Sequence, residues 1–257
     1  MSNTTSSFPN VIDAGDCGLM VLFGDQLSDA INNAAHAFDQ ALQQQSWNGV
    51  DELIPSIRGV LVRFDPVRLS RLQLRSKLED LLGQRDWLKA PANPDRKLWR
   101  LPAHYGEESG PDLESVATAM NLPVAEVIRQ HSTTKTRVLM LGFTPGCAYL
   151  GSLPSMWDLP RLDYVKPEVP PGSLSVAVSQ TVLFAISAPT GWQTIARTPF
   201  LSFSRSEAPY FHLSPGDEIV FEPIDRKEFD TLYSDSCLGK RIDGSVCNCG
   251  RQCFARK

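Results

Sequence analysis

Between Gly142 and Pro199 the chain is divided by glycine and proline into short apolar runs. Gly tolerates φ > 0 and Pro fixes φ while removing a donor, so such a stretch cannot form long helices and reads as short strands joined by tight turns. The runs are Ser173 to Val178, Val182 to Ile186 and Trp192 to Ala196, with Val138 to Leu141 just before the stretch and Glu218 to Phe221 following the Ser214-Pro215-Gly216-Asp217 turn. Many short strands with Gly/Pro corners predict a closed barrel. The turns at Gly142-Phe143-Thr144-Pro145-Gly146 and Pro170-Pro171-Gly172 bring backbone close to something, either a ligand or simply another part of a tightly cornered barrel. Polar and aromatic side chains lie within or beside these turns: Tyr149, Arg161, Lys166, Gln180, Thr181, Trp192, Gln193 and Arg197.

The N-terminal part follows a different pattern. Residues 1–12 read as a disordered start. A buried strand at Leu19–Phe23 precedes a helix capped by Ser28, with Ile31, Ala34, Ala35, Phe38 and Leu42 on one face. His36 lies off that stripe and reads as solvated. A strand from Val50 to Ile57, the Arg58-Gly59 turn and alternating Val60, Val62 and Phe64 make a hairpin. Ser70 then caps a second helix with Leu74, Leu78 and Leu81 inward, and Lys97 to Leu101 supplies a last strand. The order βαββαβ is that of a ferredoxin-like unit. The expectation is therefore an α+β protein, with a ferredoxin-like domain at 13–101, a barrel domain at 102–233 and a polar, cysteine-containing tail at 234–257.

Within the second domain, Asp112 can cap a short helix, and Leu122-Pro123 opens another with Val124, Val127 and Ile128 inward. The pair imitates a helix-turn-helix, but Glu107, Glu108, Glu114 and Glu126 surround it with charge that repels a phosphate backbone. The net charge of −4 points the same way, against nucleic acid as the partner. No run approaches the roughly 18 to 20 apolar residues that span a bilayer, and Met1 to Ser7 lacks the basic and apolar regions of a signal peptide. A cytoplasmic chain with free thiols is expected. Cys237, Cys247, Cys249 and Cys253 lack the paired Cys-x2-Cys spacing of structural zinc sites, so no metal site is expected.

The usual self-contained catalytic signatures are missing: no nucleophile elbow, phosphate-binding P-loop, zinc-protease motif or dinucleotide fingerprint occurs. What remains recognises anions and amides. Arg161 and Arg197 can hold a carboxylate or phosphate through their planar forks, and Lys166 adds a point charge. Gln180, Thr181 and Gln193 offer hydrogen bonds, while Trp192 and Tyr149 offer flat faces. His104 is the acid/base candidate, because its ordinary pKa lies near neutrality. Cys147 has no histidine near it in sequence and does not read as a nucleophile.

These residues carry a family resemblance. Gly142-Phe143-Thr144-Pro145-Gly146-Cys147-Ala148-Tyr149-Leu150, Pro160-Arg161, Val169-Pro170-Pro171-Gly172-Ser173, Gln180-Thr181, Thr190-Gly191-Trp192 and Ala196-Arg197-Thr198-Pro199 match a motif series in order and spacing. Tyr105-Gly106 and Gly110-Pro111-Asp112-Leu113 extend the match upstream. The chain so resembles the family that holds the B component of 5-oxoprolinase, the sporulation kinase-inhibitor protein and the first subunit of allophanate hydrolase. The resemblance implies a cyclophilin-like barrel. It also implies one component of an ATP-dependent 5-oxoprolinase, working with a homologous cyclophilin-like C component and a third hydrolase subunit, with Mg-ATP as a substrate of the complex and no tightly bound cofactor. Two alternatives share the motif set: a carboxyltransferase subunit of a urea carboxylase or allophanate hydrolase-like system, and a non-enzymatic inhibitor of a sensor histidine kinase. The chain departs from the pattern at Cys147, where Phe is expected, at Ser179, Thr190 and Ala196, where Gly is expected, and at Lys166, where Arg is expected.

Overall fold

The computed structural model describes residues 8–205, 208–237 and 245–248. They divide into two compact units, with the boundary between Pro94 and Asp95.

The first unit contains β1 (Asn10–Asp13), β2 (Gly18–Leu22), α1 (Asp29–Gln43), β3 (Val50–Ser56), β4 (Gly59–Phe64) and α2 (Arg71–Leu82). Ser28 accepts from the Ile31 N–H to start α1, and Ser70 with Gln73 forms a reciprocal capping box at α2. The inward faces are those the periodicity predicts: Leu19, Val21, Val60 and Val62 from the strands meet Ala34, Phe38, Leu74 and Leu78 from the helices, all with no exposure. Phe23, Phe38 and Trp87 add edge-on ring contacts to this core.

The sheet order is β1-β2-β4-β3, antiparallel throughout. This is the ferredoxin-like order with its outer strand taken from the N-terminal side. Residues 10–12, expected to be disordered, form that strand together with Asp13, and α2 holds it. Arg75 donates to the Val11 carbonyl at 2.6 Å and to Asp13 at 2.7 Å, while Arg71 donates to the carbonyls of Gly15 and Asp16 and to Asp13. The four residues Asn10-Val11-Ile12-Asp13 are too few to give a periodic sign of such an attachment.

The second unit begins with β5 (Lys97–Tyr105), α3 (Leu113–Met120), α4 (Val124–Thr133), β6 (Thr136–Leu141) and β7 (Ala148–Gly151). It continues with β8 (Lys166–Val169), β9 (Ser173–Ala177), β10 (Gln180–Leu183), β11 (Ala188–Thr190) and β12 (Gln193–Arg197). It ends with β13 (Glu218–Pro223), α5 (Arg226–Cys237) and β14 (Ser245–Asn248). Seven strands, in the order β12-β9-β10-β7-β6-β13-β5, close through a β5–β12 pairing. An odd number can close because β5 and β13 run parallel while every other neighbouring pair is antiparallel.

The strand expected to complete the first domain therefore belongs to the barrel. Leu101 and Ala103 are fully buried in the barrel core, and buried Asp217 accepts from the Lys97 N–H at 2.9 Å and from Trp99 Nε1 at 3.0 Å. The division thus falls before Lys97, not at 101, because alternation announces a strand without saying which sheet takes it. The expected tail boundary at 234 also shifts: α5 runs across it to Cys237, and β14 lies against β5. Cys249 and Cys253 lie outside the described residues.

The barrel interior is filled with side chains, among them Val138, Leu150, Leu174, Val176, Ile195 and Ile219, none with any exposure. α4 contributes His131 to the same interior. A ligand must consequently approach the barrel from outside. There, β8 and β11 form a separate antiparallel pair beside a small cluster containing Cys147, Val182, Phe184 and Trp192.

Candidate functional site

Strand alternation decides which candidates reach the outside. Ala148 and Leu150 are in the barrel core, so Tyr149 between them faces outward. It meets Trp192 edge-on, with ring centroids 6.1 Å apart and planes at 84°. The Arg161 guanidinium carbon lies 5.8 Å from the centre of the Trp192 ring. Arg161 is exposed and has no carboxylate partner among the described residues. Its loop is pinned by Gln193 Nε2 donating to the Pro160 carbonyl at 3.3 Å and by the Leu162 N–H donating to the Gly191 carbonyl at 2.7 Å. Gln180 shares the outer face: Val182 is the register partner of Tyr149, and Gln180 lies two residues along the same strand. That diagonal places the two Cβ atoms roughly 7 Å apart.

Burial raises the Tyr149 phenol above its usual range, with Cys147 acting in the same direction and Arg161 opposing. The Cys147 thiol, completely buried, is pushed up to about 12 by burial, which keeps it protonated and unreactive. Tyr149, Trp192 and Arg161 form one corner with a cation at its rim that no described carboxylate neutralises, supported by Gln193 and flanked by Gln180.

The other candidates lie elsewhere. Arg197 and His104 are cross-strand register partners at the far end of β12. The path from Trp192 to Arg197 covers five residues, about 16 Å at strand rise, so one small ligand cannot touch both arginines. Lys166 is committed to an ion pair with Asp112, in which both side chains are largely buried. Asp112, expected to cap α3, makes no cap hydrogen bond and instead also accepts from the Thr194 N–H at 2.5 Å. Thr181 points inward: its hydroxyl meets His131 Nε2 at 2.9 Å, and His131 Nδ1 meets the Tyr105 hydroxyl at 2.8 Å. Sequence reasoning assigns neither the Asp112 ion pair nor any role to His131. For His131 a signal exists, since it follows Val127 at i+4 on the inward stripe of α4.

The turn glycines bring chain against chain. A Cβ on Gly172, at φ +83°, would stand 2.0 Å from the Thr198 carbonyl oxygen, and one on Gly146, at φ +73°, would stand 2.4 Å from Phe203 Cβ. The departures from the family motif also have local accounts. The Thr190 hydroxyl accepts from the Trp192 N–H at 3.0 Å and so fixes the turn before that ring. Val178 and Ser179 occupy positive φ, +45° and +57°, in the β9–β10 hairpin turn, a conformation that favours the glycine expected at 179. Ala196 is buried beside an irregularity in register between Thr194 and Ala196.

Comparison with known proteins adds four findings. The family profile described as "Carboxyltransferase domain, subdomain C and D" matches residues 9–213. The B component of the 5-oxoprolinase of Bacillus subtilis (strain 168) is 31% identical over 232 residues, which is 86% of this chain and 95% of that protein. Among solved structures, TTHA0988 superposes with a TM-score of 0.69 at 28% identity over 81% of this chain, and this chain spans 40% of the length of that one. The urea amidolyase of K. lactis superposes with a TM-score of 0.74 at 16% identity over 92% of this chain and 16% of its own, a likeness of fold.

Proposed function

The chain belongs to the carboxyltransferase-domain family, subdomains C and D, and from that premise we propose that it is the B component of an ATP-dependent 5-oxoprolinase. The similarity to such a component over nearly the whole of that relative supports this reading. The observation that carries it is the Arg161 guanidinium, without a carboxylate partner among the described residues, beside the Trp192–Tyr149 corner. 5-Oxoproline is a flat five-membered lactam with one carboxylate. Arg161 would take the carboxylate through its two-pronged donors, the aromatic pair would flank the ring, and the Gln180 amide would meet the lactam edge. Gln193 positions Arg161 through the Pro160 carbonyl and need not touch substrate.

The described residues contain no group of three or more His, Cys, Asp or Glu side chains that could hold a metal ion. In this proposal Mg-ATP is a substrate of the complex as a whole, which adds a homologous C component and a third hydrolase subunit. No helix among the described residues is long and apolar enough to cross a membrane. A second reading, a carboxyltransferase subunit in a urea carboxylase-like system, is favoured by the description of the family itself. In that case Arg161 would hold the transferred carboxylate.

The test is phosphate release from ATP by the chain together with its co-encoded partners, using 5-oxoproline, urea or no substrate, for wild type and Arg161→Ala. A lost charge-assisted pair is worth about 1.5–3 kcal/mol, or roughly ten- to a hundredfold. The expectation is 5-oxoproline-dependent turnover whose KM rises by that factor in the variant. No turnover with the complete set of partners overturns the oxoprolinase reading, and urea-dependent turnover with a biotin-carrier partner replaces it with the second.

A further inference from the structure

The far end of β12 has the parts of a separate anion site. His104 lies between inward-facing Ala103 and Tyr105, so it projects from the outer face of β5, and its register partner Arg197 projects beside it from β12. Register partners hold their Cβ atoms about 5 Å apart. Arg197 uses one donor on protein, Nε to the Pro171 carbonyl at 2.9 Å, and has no carboxylate partner among the described residues. His104 is 6% exposed, and its buried Nδ1 has no hydrogen-bond partner. A buried polar atom of that kind calls for a ligand or a water.

One helix covers both groups. The Phe229 ring of α5 lies 5.9 Å from the His104 ring and 5.7 Å from the Arg197 guanidinium carbon. Tyr233 stacks on Phe229 at 5.6 Å and lies 4.4 Å from the same guanidinium carbon. Over the pair the helix lays two rings, Arg226 at its start pairs with Glu108 at 3.4 Å, and among the described side chains of α5 only Phe229 is buried. Phe229 thus lies over both the imidazole and the guanidinium, and it is the buried side chain through which the helix covers them.

We propose that Arg197 and His104 form a second site, for a small oxyanion, and that α5 is its cover, lifting Phe229 and Tyr233 to admit the ligand. Arg197 supplies a planar pair of N–H donors, and His104 supplies a third donor from Nδ1, a set suited to phosphate or to carboxylate. This goes beyond the Arg161 corner and does not depend on it.

The test uses the full chain without its partner proteins. Inorganic phosphate and acetate are titrated calorimetrically into wild type, Phe229→Ala, Phe229→Ala with Arg197→Gln, and Phe229→Ala with Arg161→Ala. Removing the cover is expected to raise affinity for one of the anions at least tenfold, Arg197→Gln to cancel the gain, and Arg161→Ala to leave it. The two anions distinguish a phosphoryl from a carboxylate ligand, and either supports the site. Tyr233→Leu provides a milder opening should Phe229→Ala fold poorly. In addition, of the four histidines, the 15N resonances assigned by His104→Gln are expected to shift with the bound anion. Binding of neither anion to the opened variants, or a gain that survives Arg197→Gln, overturns the proposal.

Discussion

His131 is neutral in the folded protein. Burial depresses its pKa to about 3, while its neighbours, the Tyr105 and Thr181 hydroxyls and the parallel Phe221 ring at 5.2 Å, bring no compensating charge. The unfolded chain protonates this imidazole near pH 6.5. Between about 6.5 and 3 the unfolded state therefore binds one more proton than the folded state, and stability rises with pH across that window. It is lost on acidification by about 1.4 kcal/mol per pH unit for this one group. Denaturant unfolding at pH 7 and pH 5.5 is expected to show the decline, reduced in His131→Gln, and parallel declines in the two proteins would refute it. Lys166 makes a second point at this scale. Removing a partner from a largely buried ion pair leaves the other charge stranded, and full burial would cost about 3–5 kcal/mol. With Asp112 and Lys166 slightly exposed, Lys166→Met is expected to lower stability by about 2–3 kcal/mol in urea titration. A loss below about 0.5 kcal/mol, the size of an ordinary surface substitution, would return Lys166 to the role of ligand that its charge suggests. No local signal announces the pairing, because Asp112 and Lys166 are 54 positions apart and only the fold brings them together.

At the level of elements, alternation and capping were legible wherever one element buries one regular face. Ser28, Ser70 and the inward leucines of α2 are cases of this, and so is the outward direction of Tyr149 once Ala148 and Leu150 are inside. Elements fixed by distant side chains were not legible. β1 is the plain example: its hold on the sheet includes Arg71 and Arg75, more than 50 residues away. Arg71→Ala with Arg75→Ala is expected to speed amide exchange at residues 10–13 by about tenfold or more, the loss of a charge-assisted bond, with the amides of Leu19 to Val21 little changed. Unchanged protection at 10–13 would mean that strand pairing with β2 suffices. The candidate site shows the same limit. Local sequence offers the candidates side by side, but register and loop path separate Arg161 from Arg197, turn Thr181 inward, and pair Lys166 with Asp112.

For the whole molecule, residues up to Pro94 hold every strand and both helices of the first core. A segment of residues 1–94 is expected to give dispersed amide resonances and a cooperative melt, whereas 1–101 adds an apolar strand that has no sheet to join and should self-associate in size-exclusion chromatography. An unfolded 1–94 segment would show that the first unit cannot stand alone. The barrel offers no such early completion. β5 must pair in parallel with β13, and Lys97 bonds to Asp217 across 120 positions. At a synthesis rate of about 5–20 residues per second, β5 leaves the ribosome roughly 6–24 seconds before its partner exists. The first unit can finish folding in that interval. Trp99 and Leu101 spend it without their native sheet, in the window when a nascent chain depends on chaperones.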